Sequence, residues 1–185
     1  QSHRPYVMLA SFKAPGRRRA VHVLRAASAL GPFEPDVSPI TRPDEDCLDG
    51  TLYDDATGRT WLVFCHEWLQ VRDGRILAME VSRDVRHVVS APVQLLSASE
   101  APWVHPIPEW IPGHPGGRCF LTDGPFVHRD RQGRLHLLWS SFGAGGYSLG
   151  VATSESGLVS GPYSHRYWPL VTDDGGHGMV FAVSC

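Results

Sequence analysis

The sequence predicts an all-β protein in which four-stranded antiparallel sheets form about three blades of a β-propeller. Three observations support this fold class. A short apolar run recurs three times, a Gly-Pro or Ala-Pro pair follows each copy, and turn residues rather than helical periodicity separate the runs. The 19 glycines and 15 prolines are scattered along the 185 residues, which is typical of many turns between short strands.

The repeated apolar run is rich in β-branched and aromatic residues, and its copies are residues 4–11, 59–66 and 134–141. Continuous apolar runs of this length, bounded by turns, are typical of strands buried on both faces. The proline-containing pairs follow the three runs at near-equal spacing and are Gly31-Pro32, Ala91-Pro92 and Gly161-Pro162. Repetition in three copies indicates a repeat architecture, in which one unit cannot bury both faces of its sheet alone.

The remaining strands follow from the same alignment. Alternating segments at 21–24, 76–81 and 147–152 predict a third strand in each unit, and the proline pairs predict a short edge strand. Innermost strands are expected at 48–53 and 122–127, with a further one at 175–181. The chain is therefore expected to be one partial domain over residues 1–185, with blades at about 1–40, 47–97 and 120–168 and the start of another at 174–185. No long helix is predicted, and the Pro-rich insertion 102–118 is expected to loop over one rim.

Composition excludes several classes of function. The net charge of −2 gives no field that would recruit nucleic acid or an anionic membrane. No apolar run is long enough to span a bilayer, and no signal peptide is visible, so we expect a soluble protein whose location, cytoplasmic or secreted, stays open. The four cysteines contain no CxxC pair, which argues for free thiols and against a structural zinc site.

Acidic residues begin two of the innermost strands. Asp49-Gly50 and Asp123-Gly124 stand immediately before apolar segments, and Gly176-His177 takes the comparable place in the third copy. Because innermost strands start near the axis of a propeller, these side chains are expected to meet at one mouth. Glu100 lies among Ala101, Pro102 and Trp103, and partly apolar surroundings would raise its pKa and suit a general acid.

Other side chains are predicted to contact a substrate. His66, Glu67 and Trp68 end a buried strand, and strand ends carry the sites of propellers. Aromatic rings stack on sugars, and the rings considered are Trp61, Trp68, Trp103, Trp110, Trp139 and Phe142. Most of them are expected to be core, but Trp103 and Phe142 are kept, together with His177, as candidate sugar contacts.

Four segments in this order, 47–53, 99–104, 123–126 and 174–179, resemble glycoside hydrolase family 43. The resemblance covers essentially the whole chain and implies a five-bladed propeller. It also implies an oligo- or polysaccharide substrate containing arabinose, xylose or galactofuranose, and hydrolysis with inversion of configuration. No cofactor is required, although the resemblance places a structural calcium or sodium ion near His177.

The resemblance further implies three acids: a base in the first blade, an aspartate that orients and tunes the acid, and a glutamate that protonates the leaving oxygen. Asp49 falls at the tuning position. The acid is either Glu100, which matches by residue type, or Asp123, which matches by its place before the strand. Glu100 is favoured because Asp123 is one methylene shorter; Asp123 would then bind sugar hydroxyls.

The first repeat resembles the second strand of the family's second blade, so no segment is expected to supply the base. We therefore expect this chain to be a fragment with little or no hydrolase activity. The alternative is a non-catalytic propeller module that binds carbohydrate or protein.

Overall fold

The computed structural model describes residues 5–13 and 15–181, and its regular secondary structure consists almost entirely of β-strands. The strands are β1 (Tyr6–Phe12), β2 (Ala20–Ala26), β3 (Glu34–Pro35), β4 (Cys47–Asp54), β5 (Thr60–His66), β6 (Arg75–Val81), β7 (Val93–Ser97), β8 (Asp123–Arg129), β9 (Leu135–Gly143), β10 (Gly146–Ser154) and β11 (Tyr163–His165). A four-residue helix α1 (Trp68–Val71) and a 3-10 turn (Ala98–Glu100) are the only helical segments in the described part of the chain. None of its helices has the length and apolar character needed to cross a bilayer.

The strands form three antiparallel sheets in chain order. The first sheet is β1-β2-β3, the second is β4-β5-β6-β7, and the third is β8-β9-β10-β11. Within each sheet, every strand pairs with its neighbour along the chain, so each four-stranded sheet is a simple meander. This confirms the all-β class and the four-stranded antiparallel sheets, including the short edge strands that follow the proline pairs.

The second sheet is covered on both faces, as its apolar run predicts. Every residue of β5 is buried, and successive side chains point to opposite faces. Leu62 and Phe64 pack toward the first sheet in what we call the first core, with Val21 and Val23. On the opposite face Trp61, Val63 and Cys65 belong to the second core, which lies between the second and third sheets. Its members from the third sheet are Val127, Leu135, Leu137, Trp139 and Ala152.

Two expectations about strands are wrong. β1 was expected to be buried on both faces, yet Tyr6 and Met8 are 45% and 44% exposed, because β1 is the edge strand of the first sheet and burial is concentrated in the central strand β2. The segment expected to begin a further blade, 174–181, contains no strand; its backbone runs past the third sheet with Asp174 and His177 at positive φ. His3 and Arg4, which open the first repeat, and Cys185 lie outside the described residues. The cysteines Cys47, Cys65 and Cys119 are free and buried, as predicted.

Candidate active site

Asp49, Asp123 and His177 meet at one place, as the repeat predicts. One ligand atom from each side chain lies within 4.8 Å of the other two. Asp49 comes from β4, Asp123 is the first residue of β8, and His177 lies on the segment that follows β11. The three residues therefore bring together the second sheet, the third sheet and the chain beyond it. We call these three side chains the acid cluster.

A β-bulge in each innermost strand turns the two aspartates toward each other. In β4 the pairing slips between Leu48 and Thr51, and in β8 it slips between Asp123 and Phe126. Bulges bend a strand and re-aim its side chains, and they are common beside active sites. The repeat placed Asp49 in register with Asp123, but this expectation is wrong by one residue. The bulges instead align Asp49 with Gly124, and these two residues have φ of 55° and 49°.

Hydrogen bonds fix both carboxylates. The Gly124 N–H donates to Asp49 Oδ2 at 3.1 Å, and the Asp49 N–H donates to Ser11 Oγ of β1 at 3.0 Å. The Tyr147 hydroxyl donates to Asp123 Oδ2 at 3.0 Å. Asp49 is thus held by the first and third sheets as well as its own strand, so its position depends on the packing of all three.

His177 is held by its backbone and presents its ring to solvent. Its N–H donates to Ser140 Oγ at 2.7 Å, and its Nδ1 lies 3.9 Å from Asp49 Oδ2. The side chain is 54% exposed. A methyl group on Gly124 would come within 2.7 Å of the imidazole, so glycine is required there both for its positive φ and for this approach. The ring is thus placed where a bound molecule would meet it.

The environment of Asp123 keeps its carboxyl protonated at neutral pH. Burial, followed by a hydrogen bond with Asp49 and the Asp49 charge, raises the pKa of Asp123 to about 8, and the Tyr147 hydroxyl opposes this only in part. Two carboxylates this close cannot both be ionised without strong repulsion. Burial and the Asp123 charge also raise the pKa of Tyr147, so its hydroxyl stays a donor. The pair therefore carries one proton that Asp123 can give up.

His66 and Glu67 lie behind the cluster and are occupied by internal contacts. His66 Nε2 lies 2.8 Å from Gln70 Oε1, and Glu67 Oε1 lies 3.4 Å from Arg19 Nη1. Both residues are buried. Burial raises the pKa of Glu67, while the Arg19 charge acts in the opposite direction. The structure therefore gives these residues a supporting position, and the sugar contacts predicted for them remain predictions.

Glu100 does not join the acid cluster. It lies in the 3-10 turn after β7, where its Oε2 accepts a hydrogen bond from the Ser97 N–H at 3.0 Å and completes a capping box. The side chain is exposed, so the apolar surroundings expected for a general acid are absent. The charge of Glu100 acts on His165 of β11, which is on the outermost strand of the third sheet. Although the neighbours of Glu100 in sequence are Ala, Pro and Trp, its carboxylate caps a turn in the folded chain.

Two of the predicted sugar-binding aromatic residues are core residues. Trp103 is 5% exposed, packs against Trp139 with ring centroids 5.0 Å apart and the rings tilted by 45°, and fills the space above Gly150. Trp68 is 6% exposed and packs with Ile107 and Cys119. Their burial argues against the sugar contacts expected of them. Phe142 is half-buried, and its ring lies edge-on to Tyr147 at 6.0 Å, so it supports the side chain that binds Asp123.

Sequence reasoning missed three polar side chains that build the site: Ser11, Ser140 and Tyr147. Tyr147 carried a usable signal, because it follows the glycine-rich turn 143–146. It therefore lies near the start of the third strand, at the same edge of the sheet as the start of the innermost strand. Ser11 and Ser140 carried none, since a serine in an apolar run is equally typical of a strand that packs against backbone. Their roles depend on contacts between residues that are distant in sequence.

The acid cluster fits a calcium ion poorly. It offers two carboxylates and an imidazole nitrogen, whereas Ca²⁺ takes six to eight oxygen ligands. One of the carboxyls also holds a proton that a cation would have to displace. No step is therefore assigned to a metal, and an ion near His177 stays a prediction.

A family profile described as "Glycosyl hydrolases family 43" matches residues 3–181. A search of curated proteins found no match. Among solved structures, the chain is similar to an endo-arabinase from Bacteroides thetaiotaomicron VPI-5482, with 42% sequence identity and a TM-score of 0.88.

That similarity covers 95% of this chain but 61% of the endo-arabinase, so the chain spans about three fifths of its length. A thermostable family-43 glycoside hydrolase is 19% identical with a TM-score of 0.71, covering 90% of this chain and 52% of the other. An α-L-arabinofuranosidase from Lactobacillus brevis is 19% identical with a TM-score of 0.60, covering 82% and 45%. The last two similarities show the fold alone.

Proposed function

The chain belongs to glycosyl hydrolase family 43, and from this premise we propose that it supplies the general acid, and the residue that tunes this acid, in the active site of an inverting glycosidase that cleaves arabinan. The observation that carries the proposal is the Asp49–Asp123 pair. Asp123 is a carboxyl whose pKa is raised to about 8 by burial and by Asp49, so it holds a proton at neutral pH. A general acid needs a pKa near the working pH, because it must be protonated and still able to transfer its proton.

In this proposal Asp123 protonates the oxygen of the leaving sugar, and Asp49 sets the position and acidity of Asp123. The assignment follows the place of Asp123 before its strand. Glu100, which the sequence favoured, is not given this role, because its carboxylate already caps a turn outside the acid cluster. The shorter side chain of Asp123 is compensated by the bulge that begins at this residue and directs it toward Asp49.

Asp49 and Asp123 are not an acid–base pair. In an inverting enzyme the two carboxyl groups stand about 6.5–9.5 Å apart, to leave room for the attacking water. Here single oxygens of the two groups lie within 4.8 Å of each other. This separation is too short for the attacking water of an inverting pair, and it is also below the about 5–5.5 Å of a retaining pair. The arrangement instead suits an acid and the residue that tunes it.

We propose that the three sheets are consecutive blades of a five-bladed propeller, with boundaries near 1–40, 47–97 and 120–168. Face-to-face packing of the second sheet on both neighbours supports this, because blades stack in that manner. Three blades of five would be three fifths of a domain, and the chain spans 61% of the endo-arabinase. The mouth of such a propeller would lie at the acid cluster.

The proposed substrate is a polysaccharide rich in arabinose. The 42% identity with an endo-arabinase favours arabinan over the xylose- and galactofuranose-containing glycans that the sequence also allowed. The exposed ring of His177 beside the two acids gives a hydrogen-bonding group for sugar hydroxyls.

The general base is not among the residues of the acid cluster. Within residues 5–13 and 15–181, the further carboxylate that acts electrostatically on Asp123 is Glu67, which is buried and bound by Arg19. A general base contributes about 10²–10⁴-fold to the rate. We therefore propose that this chain by itself hydrolyses arabinan slowly.

Azide tests the proposal, because it attacks an anomeric carbon without needing a general base. With 4-nitrophenyl α-L-arabinofuranoside, a bond forms from azide nitrogen to the anomeric carbon while nitrophenolate leaves with the electron pair. We expect azide to raise the release of nitrophenolate at least about tenfold, less than the about 10²–10⁴-fold that a positioned general base supplies. The expected product is an arabinosyl azide of inverted configuration, identified by NMR.

Asp123→Asn distinguishes the acid from the rest of the site. The variant should lose azide-driven cleavage of arabinan by about 10²-fold or more, because the sugar leaving group needs a proton. It should keep most of the reaction with the nitrophenyl glycoside, whose leaving group needs none. Asp44→Asn, at an exposed loop position, is the matched control. Binding of arabinan with no azide-dependent cleavage would refute catalysis and favour the alternative of a carbohydrate-binding module.

A further inference from the structure

The loop between the second and third sheets lies on the same edge as the acid cluster. The start of β4 pairs with the end of β5, which pairs with the start of β6, and this in turn pairs with the end of β7. The chain leaves β7 at Ser97 and enters β8 at Asp123. Everything between these residues is therefore attached to the edge where Asp49 and Asp123 lie, and we call residues 101–122 the rim loop.

Packing and hydrogen bonds fix the rim loop in one position. Ile107 and Cys119 pack with Trp68 of α1 in a small apolar cluster whose border includes Phe142. The Ile107 N–H donates to the Cys119 carbonyl at 2.8 Å, which closes the base of the loop. Arg72 Nη1 donates to the Gly116 carbonyl at 3.0 Å. Proline at 106, 108, 112 and 115 further limits the backbone.

The cluster that holds the rim loop also contacts the wall of the acid site. The His105 N–H donates to the Phe142 carbonyl at 2.8 Å. The Phe142 ring rests against Tyr147, whose hydroxyl donates to Asp123. The rim loop, the tyrosine and the proposed acid are thus connected by direct contacts.

Trp110 stands in the part of the rim loop enclosed by Ile107 and Cys119 and is 78% exposed. Single exposed hydrophobic side chains are common on protein surfaces, so exposure alone does not identify a site. Trp110 is singled out by its place on a fixed loop at the edge that carries the acid cluster. Aromatic rings offer a rigid apolar face, and the C–H faces of furanose rings are apolar while their rims carry hydroxyls. The ring is therefore suited to a polysaccharide that is also bound at the acid cluster.

Building on the proposed function, we propose that Trp110 is a sugar-binding platform that stacks on an arabinose unit of the polysaccharide, outside the acid cluster. Because it belongs to the rim and not to the cluster, its contribution requires a substrate long enough to reach from the Asp49–Asp123 pair to the loop. Trp110 is thus expected to determine preference for polymer over short glycosides.

Trp168 provides a matched control on the same chain. It is 71% exposed, similar to Trp110, but follows the outer strand β11 of the third sheet. Its ring is in edge-to-face contact with Tyr167, with ring centroids 4.7 Å apart. Residue type is therefore the same and exposure is similar, while the segment that carries the ring and its contact with Tyr167 differ.

The test measures binding of linear arabinan and of arabino-oligosaccharides of increasing length to the full chain by calorimetry. Trp110→Ala should weaken binding of arabinan about tenfold, and Trp110→Phe should recover most of the loss, because one aromatic face remains. Trp168→Ala should bind as the unchanged chain does. Because Trp110 lies outside the acid cluster, binding of arabinobiose, the shortest ligand of the series, should be the same in all four proteins. Circular dichroism of Trp110→Ala checks that the fold is retained.

Equal arabinan binding by Trp110→Ala and the unchanged chain would overturn the inference and leave the proposed function intact. Failure of the unchanged chain to bind arabinan at all would overturn the proposed function, and the inference with it. Oxidation by N-bromosuccinimide gives an independent readout. Arabinan should protect Trp110 and leave Trp168 reactive, and equal protection of both rings would contradict the assignment.

Discussion

The proton on Asp123 is the residue-scale feature on which the proposed chemistry depends. Burial alone makes the ionised form unfavourable, and the neighbouring Asp49 charge adds to this effect. The raised pKa means that Asp123 is protonated below about pH 8 and loses its proton above it. The acid function is therefore present at neutral pH and disappears as the pH rises through 8, whereas a carboxyl with an ordinary pKa would already be ionised at pH 5.

Replacing Asp49 tests this origin of the raised pKa without requiring turnover. In Asp49→Asn the like charge is gone, and the asparagine amide can donate to an ionised Asp123, so the pKa of Asp123 should fall toward its usual value. Titration of the ¹³C-labelled carboxyl groups by NMR measures the change. Asp44→Asn, which removes an exposed charge, should leave the Asp123 titration where it was. An unaltered or higher pKa in Asp49→Asn would show that Asp49 does not tune the acid.

Residue types at strand starts predicted the acid cluster, but not every member of the candidate site. Asp49, Asp123 and His177 were identified because each stands beside a glycine at the start of an expected innermost strand, and the starts of such strands lie close together. Glu100 lies outside the acid cluster, because neighbours in sequence do not determine which way a side chain points. Its carboxylate folds back onto its own turn, and Trp103 beside it fills the core. Both outcomes depend on tertiary packing.

At the scale of single elements, the hairpin between β4 and β5 is organised by one carboxylate. Asp55 Oδ1 accepts hydrogen bonds from the N–H groups of Thr57 and Arg59, and its Oδ2 accepts from Trp61 Nε1 at 3.0 Å. Gly58 supplies the positive φ, 86°, that closes the turn. The aspartate thus fixes both the turn and the ring of the strand that follows.

The hairpin between β8 and β9 repeats this arrangement. Asp130 Oδ1 accepts from the N–H groups of Gln132 and Arg134, and its Oδ2 lies 2.9 Å from His136 Nε2. Gly133 has φ of 81°. The shared spacing of aspartate, glycine and arginine explains why the turn positions of both hairpins were predictable from sequence, since the local hydrogen bonds need no distant partner.

Asp55→Ala should destabilise the protein by about 1–3 kcal/mol, because the nearly buried Asp55 carboxylate is the partner of the Trp61 N–H and of two backbone N–H groups. Urea denaturation followed by circular dichroism measures the loss. Asp44→Ala, whose carboxylate is exposed, is the control and should change stability by less than about 0.5 kcal/mol. Equal stability of the two variants would mean that the Asp55 hydrogen bonds contribute no more than surface contacts.

Elements whose burial depends on a neighbouring sheet were harder to predict than turns. The apolar pattern gave the positions of β5, β6, β9 and β10, because alternation and turn signals are local properties. The same pattern overestimated the burial of β1, since an edge strand is covered less than the central strand β2 of the same sheet. It also predicted a strand at 175–181, where the backbone instead approaches the acid cluster and the His177 N–H donates to the Ser140 side chain.

For the whole molecule, the second sheet links all the packing into one unit. Its β5 sends Leu62 and Phe64 into the first core and Val63 and Cys65 into the second. Asp49 of the same sheet is held by Ser11 from one side and by Gly124 from the other. The acid cluster therefore exists only when the three sheets are packed, and local loosening of either core would displace the proposed acid pair.

Because β5 is shared, the two cores should unfold together. Leu62→Ala removes a fully buried side chain from the first core, and Leu137→Ala removes one from the second. Each should lower the free energy of unfolding by about 2–5 kcal/mol, from lost burial and the cavity that remains. Circular dichroism reports all three sheets. None of the six tryptophans lies in the first sheet or the first core, so fluorescence reports the rest of the molecule, including Trp61, Trp103 and Trp139 of the second core. In both variants the urea transitions seen by the two methods should coincide. If Leu62→Ala produced a circular dichroism transition ahead of the fluorescence transition, the first sheet would be an independent unit, and Ser11 could not be a fixed support for Asp49.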